Sequence, residues 1–155
     1  MKKMALVAML LSVLVVAGCG GSRSTDCTAG YTAAENSFDD FDALLDDDNV
    51  SPCMSGEATT CNCPGGGTMT GDSEALTASF YSCISATGKE YNGYLAATTT
   101  LSGTMDPFGD CTSVTVSDVP LDGCGGIIKA TCGGLMLHCD ISDDGAGGCD
   151  LNCTC

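Results

Sequence analysis

Cysteine is the feature that most constrains how this chain can fold. The 155-residue sequence holds 13 cysteines, but it has no Trp and only four Tyr and four Phe. A chain with so few large apolar side chains buries little surface, and it needs covalent cross-links to hold a compact structure. The composition therefore predicts a small domain that is stabilised by disulfide bonds.

The N-terminus has the organisation of a secretory signal peptide. Lys2 and Lys3 form a short positive segment, and residues 5–17 form an apolar segment of 13 residues. A membrane-spanning helix needs about 20 apolar residues, so this segment is too short to span stably. We expect residues 1–18 to be a signal peptide that is removed from the mature protein.

The end of this segment carries a specific motif. Val16-Ala17-Gly18-Cys19 resembles the lipobox of bacterial lipoproteins, in which an aliphatic residue, a small residue and Gly or Ala precede the cysteine. The resemblance implies that a type II signal peptidase cuts before Cys19 and that the cysteine carries acyl chains such as palmitate. Two or three chains anchor a protein stably, whereas a single chain is marginal.

The resemblance also implies a location. Gly20 follows the cysteine, where the enterobacterial sorting rule places an Asp in lipoproteins retained at the inner membrane. The resemblance therefore implies a lipid-anchored protein of the bacterial cell envelope, in the outer membrane, with the membrane as a partner through Cys19. Residues 19–26 would form the lipidated cysteine and its tether, and residues 27–155 a single domain.

Removing Cys19 from the count leaves an even number of cysteines in an oxidising compartment. This predicts up to six disulfides, with a connectivity that the spacing leaves open. Two Cys-x-Cys pairs are present, and we expect each of their members to bond elsewhere because closing such a short loop is strained. The twelve candidates are Cys27, Cys53, Cys61, Cys63, Cys83, Cys111, Cys124, Cys132, Cys139, Cys149, Cys153 and Cys155.

A thiol or metal site is the competing interpretation of these cysteines. The Cys-x-Cys pairs together with His138, the only histidine, could hold zinc or copper. A redox enzyme usually has a Cys-x-x-Cys sequence, which is absent here. No Gly-x-Ser-x-Gly elbow occurs either, and we predict that the protein is not an enzyme.

The charge of the chain limits its partners. There are 20 acidic residues against 5 basic ones, a net charge of −15. Nucleic acid is excluded as a partner because its binding needs a basic surface.

Residues 140–145 match the opening of a calcium loop, with Asp140, Ser142 and Asp144 as oxygen ligands, although Leu151 stands where a bidentate Glu is expected. An ordinary acidic turn is the favoured interpretation of this segment, so we predict no cofactor, with calcium as the alternative.

The apolar pattern changes from a helical to a strand-like period along the chain. Thr32 and Glu35 fit a capping box, and an apolar stripe that includes Phe38, Phe41 and Leu45 predicts a helix over about residues 32–46. Because acids are unfavourable at a helix C-terminus, Asp46-Asp47-Asp48 favours an end just before Asp46, with neutralisation by a cation as the alternative. Residues from about 66 to 155 favour short strands. Asn92-Gly93 predicts a hairpin turn, and a strand-like run follows over residues 94–101. Gly125-Gly126 predicts a second turn.

The later part of the chain adds one clear alternating face. Leu135, Leu137, Cys139 and Ile141 occupy every second position, which is typical of a half-buried strand, and His138 lies on the opposite face. We predict a mainly β fold, an antiparallel sheet or small sandwich that is disulfide-rich, with one short N-terminal amphipathic helix.

These observations favour a lipid-anchored cell-envelope protein of non-enzymatic structural or interaction type, with its protein partner unspecified. An acidic module that binds divalent cations, calcium in particular, is the alternative. A protein with a thiol or metal site is the third.

Overall fold

The computed structural model describes residues 27–143, 145 and 149–155, the side chain of Asp150 excepted. Two helices precede nine strands. The helices are α1 (Thr28–Leu45) and α2 (Ser51–Ser55). The strands are β1 (Thr60–Asn62), β2 (Gly66–Asp72), β3 (Thr77–Ile84), β4 (Glu90–Ala97), β5 (Thr100–Phe108), β6 (Cys111–Pro120), β7 (Ile127–Cys132), β8 (Leu135–Asp143) and β9 (Cys149–Thr154).

All nine strands belong to one sheet, and their order in the sheet is their order in the chain. Each strand pairs antiparallel with the next, so every connection joins neighbours. The predicted mainly β, antiparallel and disulfide-rich fold is confirmed. The sandwich alternative is wrong, because a helix and not a second sheet covers the apolar face.

We call the face that packs against α1 the inner face. Its centre is an aromatic cluster in which the Phe41 ring on α1 lies 5.3, 5.1 and 5.0 Å from the rings of Phe80, Tyr91 and Phe108. These four side chains are 0–2% exposed. With few large apolar residues in the chain, this cluster places half of its eight aromatic rings at the helix–sheet contact, where they stabilise the fold.

The helix differs from the predicted one in its length and its start. It covers 18 residues and begins at Thr28, with Cys27 at the N-cap and no side-chain cap. The Thr32 capping box is therefore wrong, since the helix is already formed when the chain reaches Thr32. A disulfide from Cys27 to Cys155 fixes the chain at this point. The helix ends at Leu45, before Asp46 as expected.

The first predicted hairpin is also wrong. Asn92 and Gly93 lie in the middle of β4, and the preceding turn falls at residues 85–89. Gly93 has a φ of +138°, and a Cβ built on it would lie 2.2 Å from the Thr104 carbonyl oxygen on β5. The glycine is thus required for close approach inside the sheet and not for a turn.

Several strand boundaries also differ from the predicted ones. The run over residues 94–101 is divided between β4 and β5, and the strands begin at Thr60 and not near residue 66. The turn at Gly125-Gly126 does precede β7, as predicted. In β8, Leu137, Cys139 and Ile141 are buried, which confirms the alternating face.

Six disulfides join all twelve cysteines of the described chain. The members of each Cys-x-Cys pair bond elsewhere, as the geometry predicts. Two bonds link residues that lie directly opposite each other on neighbouring strands, with Cα–Cα distances of 4.1 and 4.0 Å for Cys111–Cys132 and Cys139–Cys153. The others are Cys27–Cys155, Cys53–Cys61, Cys63–Cys83 and Cys124–Cys149.

Candidate functional site

The face opposite α1, which we call the outer face, is covered by no other described element. The strand register aligns one outward residue from each strand into a continuous row across the sheet. Seven of these nine side chains carry a hydroxyl group. The row runs Thr60, Thr70, Ser79, Tyr94, Thr104, Thr115, Lys129, His138, Thr154.

At the β1 edge, this row enters a cleft of about 570 Å³ between β1, β2, β3 and the loops beside them. Ligand sites commonly have volumes of about 300–1,000 Å³, so the cleft is large enough for a small molecule or a chain segment. We call it the hydroxyl cleft because of its lining. The hydroxyl-bearing side chains are Thr59, Thr60, Thr70, Ser73, Thr77 and Ser79.

Two loops that touch each other form the wall of the hydroxyl cleft. Gly56 ends α2 with a φ of +80°, and a Cβ built on it would lie 2.7 Å from Ser73 in the β2–β3 turn. In that turn, the Oδ1 atom of Asp72 accepts hydrogen bonds from the backbone N–H groups of Glu74 and Ala75, at 2.9 and 2.8 Å. The wall is thus held by local bonds before any ligand arrives.

Two exposed tyrosines lie beside the hydroxyl cleft. Tyr94 on β4 is directly opposite Ser79, and Tyr81 follows two residues after Ser79 on β3. Their exposed fractions are 46% and 56%, which are large for tyrosine rings in the middle of a sheet. The two residues are diagonal neighbours on adjacent strands, a relation that places such residues about 7–8 Å apart on one face, and we call the pair the aromatic platform.

The electrostatics of the hydroxyl cleft are simple. Its outward floor residues, Thr60, Thr70, Thr77 and Ser79, carry no ionisable group, although the chain has a net charge of −15. The lining contains two carboxylates, Asp72 at the end of β2 and Glu74 in the turn that follows, and one oxygen of Asp72 is already bonded to the turn. The cleft therefore offers many neutral donors and acceptors, and its acidic wall disfavours anions.

The predicted calcium ligands are placed differently from a calcium loop. Asp140 and Ser142 lie in β8, opposite Asn152 and Asp150 of β9, and the Asn152 amide donates a hydrogen bond of 3.3 Å to the Ser142 hydroxyl. Residues 140–143 are extended because β9 pairs with β8 as far as Asp143. The loop conformation expected from Asp140 onward is therefore wrong, whereas Asp144 lies outside the described residues. Calcium binding itself stays a prediction.

The thiol and metal interpretations receive no support from the geometry. Within residues 27–143, 145 and 149–155, no group of three or more His, Cys, Asp or Glu side chains is placed to hold a metal. His138 lies on β8, on the opposite face from Leu137 as predicted, and its Nε2 atom is 3.6 Å from Asp140 Oδ1. Cys61 and Cys63 are at the other edge of the sheet. Cys19 lies outside the described residues.

A second polar cluster is closed and structural. On α1, Asp40 accepts hydrogen bonds from Tyr91 (2.8 Å) and Thr87, two residues of the sheet side. Lys89 pairs with Asp110 at 2.8 Å and donates to the Asn36 carbonyl oxygen, again joining α1 to the strand turns. These bonds fix the helix on the sheet, and the Tyr91 ring that supplies one of them is fully buried.

The sequence interpretation missed both the hydroxyl cleft and the buried cluster. The signal for the cleft was the alternation of hydroxyl and aromatic side chains, as in Ser79 and Tyr81, on the face opposite the buried positions.

No family model matches the chain, and the comparisons with curated proteins and with solved structures found no match. Among the described residues, no helix is long and apolar enough to cross a membrane.

Proposed function

We propose that this chain is a lipid-anchored cell-envelope protein of non-enzymatic interaction type, held in the outer membrane by acyl chains on Cys19. The lipobox resemblance of Val16-Ala17-Gly18-Cys19 supports the anchor. The observation that carries the interaction role is the pair of exposed tyrosines, Tyr81 and Tyr94, beside a cleft in a face that no described element covers.

The relative positions of the anchor and the hydroxyl cleft suit this role. The described chain begins at Cys27, which is bonded to Cys155 directly after β9, whereas the cleft lies at β1. Strands in a sheet are about 4.8 Å apart, so eight spacings place the two edges up to about 38 Å apart. A tether that enters at the β9 side leaves the β1 side free for a partner.

The anchor is tested by replacing the lipidated residue. We expect the wild-type protein to incorporate labelled palmitate and to sediment with membranes, and a Cys19→Ala variant to lose both properties. A Gly20→Asp variant is the matched control, since it keeps the lipobox. It should stay acylated and move from the outer-membrane to the inner-membrane fraction. A Cys19→Ala protein that stays membrane-bound, with no acyl mass on the wild type, would refute the anchor.

The interaction role is tested in the envelope itself. Tetranitromethane nitrates accessible tyrosine rings, and peptide mass spectrometry then locates the product. If a partner occupies the outer face, Tyr81 and Tyr94 should be nitrated several times more slowly in intact envelopes than in the purified protein. Equal rates in both preparations would contradict the proposed interaction surface, whatever the result for Cys19.

A further inference from the structure

We infer that the hydroxyl cleft, together with Tyr81 and Tyr94, binds an uncharged glycan chain. This inference rests on the proposed interaction surface and names the chemistry of its partner. It depends on three properties of the described residues: the polarity of the floor, the position of the two rings and the distribution of charge.

The first property is the density of hydroxyl groups on the floor. Thr60, Thr70 and Ser79 are neighbours in one row, and Thr77 lies two residues from Ser79 along β3. Each hydroxyl donates one hydrogen bond and accepts two, and it rotates to suit its partner. The hydroxyl groups around a sugar ring have the same mixed character, so a row of Thr and Ser can follow a chain of sugar units.

The second property is the aromatic platform that continues the row. A pyranose ring has polar hydroxyls at its edge and C–H groups on its faces, and an aromatic ring is the side chain that fits such a face. Tyr94 directly follows Ser79 in the row, and Tyr81 is its diagonal neighbour. Tyrosine suits this position because its ring is a rigid apolar surface and its hydroxyl remains a hydrogen-bonding group.

The third property is the charge around the hydroxyl cleft. Asp72 and Glu74 are in the lining, and the chain as a whole has a net charge of −15, so anionic chains are repelled. The one carboxylate at the edge of the floor is Asp72, opposite Thr77, and its Oδ1 atom already accepts the backbone N–H groups of Glu74 and Ala75. A neutral polyhydroxylated chain is the ligand that remains compatible with all three properties.

The experiment uses the purified acylated protein in a detergent without a sugar headgroup. Native gels that contain laminarin or hydroxyethylcellulose should retard the protein, and calorimetry with cellohexaose and N-acetylchitohexaose should give a measurable Kd for at least one of them. Replacement of a stacking ring, as in Tyr94→Ala, should weaken binding by about tenfold or more. Tyr94→Phe should keep most of the affinity, because the ring is retained.

Two further variants keep the test decisive. Ser79→Arg places a bulky charged side chain on the floor and should abolish binding, whereas Met136→Ala truncates an exposed side chain on β8, outside the cleft, and should change nothing. Circular dichroism confirms that each variant is folded. Binding that persists in a Tyr81→Ala/Tyr94→Ala double variant would overturn the inference, because the glycan would then bind elsewhere.

Two other outcomes would also overturn it, and they are distinguishable from failure of the proposed function. The first is the absence of retardation and heat with all four probes, while Tyr81 and Tyr94 are still protected in envelopes. The outer face then has a partner of another class. The second is concentration-dependent dimerisation that Tyr94→Ala removes, which would make the platform a contact between two copies of this chain.

Discussion

The inner face of the sheet presents aromatic and aliphatic side chains to α1, whereas the outer face presents hydroxyl groups to solvent. On the inner face, Phe41, Tyr91 and Phe108 are almost completely buried. On the outer face, Tyr81 and Tyr94 are about half exposed. The same strands build both faces, since successive side chains along a strand point to opposite sides.

Three of the six disulfides, Cys53–Cys61, Cys63–Cys83 and Cys111–Cys132, have both cysteines buried in the core. Cys83, Cys111 and Cys132, for example, are 0–1% exposed and lie on strands whose intervening residues face outward. These cross-links and the aromatic packing therefore act together in the core, and we expect the stability of the fold to depend less on the outer face. Such a division leaves the outer face free to carry a binding function.

The sharpest way to break this comparison is to remove one ring from each face. Phe41→Ala should lower the free energy of unfolding by about 3–5 kcal/mol, because it leaves a cavity at the centre of the aromatic cluster. Tyr94→Ala should cost about 1 kcal/mol or less, because about half of the side chain is exposed to solvent. Denaturant unfolding followed by circular dichroism, with the disulfides intact, measures both. Similar losses for the two variants would show that the faces share the stabilising role.

A smaller effect is expected from Asp40, a buried carboxylate that joins α1 to the sheet. Burial raises the pKa of Asp40, but hydrogen bonds from Thr87, Ser85 and Tyr91, with the charge of Lys89, outweigh it and hold the pKa below its ordinary value. The folded state thus binds this proton less readily than the unfolded chain. The resulting stability is present above the ordinary Asp pKa, and it is lost as the pH falls through the folded-state value.

This carboxylate predicts a pH-dependent cost for losing one hydroxyl group. Tyr91→Phe should lower the free energy of unfolding by about 1.5–3 kcal/mol at pH 7, as expected for a hydrogen bond to a charged group. The loss should shrink as the pH falls below the ordinary Asp pKa and through the lower folded-state value, where Asp40 becomes protonated. Tyr31→Phe is the matched control, because its hydroxyl donates to the neutral Cys153 carbonyl at 3.0 Å. A loss for Tyr91→Phe that stays constant with pH would contradict the role of Asp40.

The inner face was largely predictable because it depends on local periodicity. The positions of Phe41, Leu137 and Ile141 in the core follow from helical spacing or strand alternation, and both are properties of a few neighbouring residues. The choice between a sheet and a sandwich was not predictable in this way. It depends on which element covers the apolar face, and only the packing of α1 decides that.

The outer face was not predictable for a related reason. The row that joins Thr70, Ser79 and Tyr94 exists only when the register of several strand pairs is known, and register is a non-local property. Two local motifs led to wrong predictions for the same reason. Asn92-Gly93 forms no turn, and Asp140 begins no loop, because pairing with the neighbouring strand overrides the preference of the short sequence.

The smallest effect on stability is expected from a chemical probe that needs no substitution. The chain has four tyrosines, of which Tyr31 and Tyr91 are 6% and 0% exposed, whereas Tyr81 and Tyr94 are 56% and 46% exposed. In the purified protein, tetranitromethane should nitrate the two outer rings and leave the two inner rings unmodified, with no measurable change in stability. Reduced and unfolded protein, in which all four should react, is the control for intrinsic reactivity. Nitration of Tyr91 at the rate of Tyr94 would mean that α1 leaves the sheet readily, and the inner face would then be no more protected than the outer one.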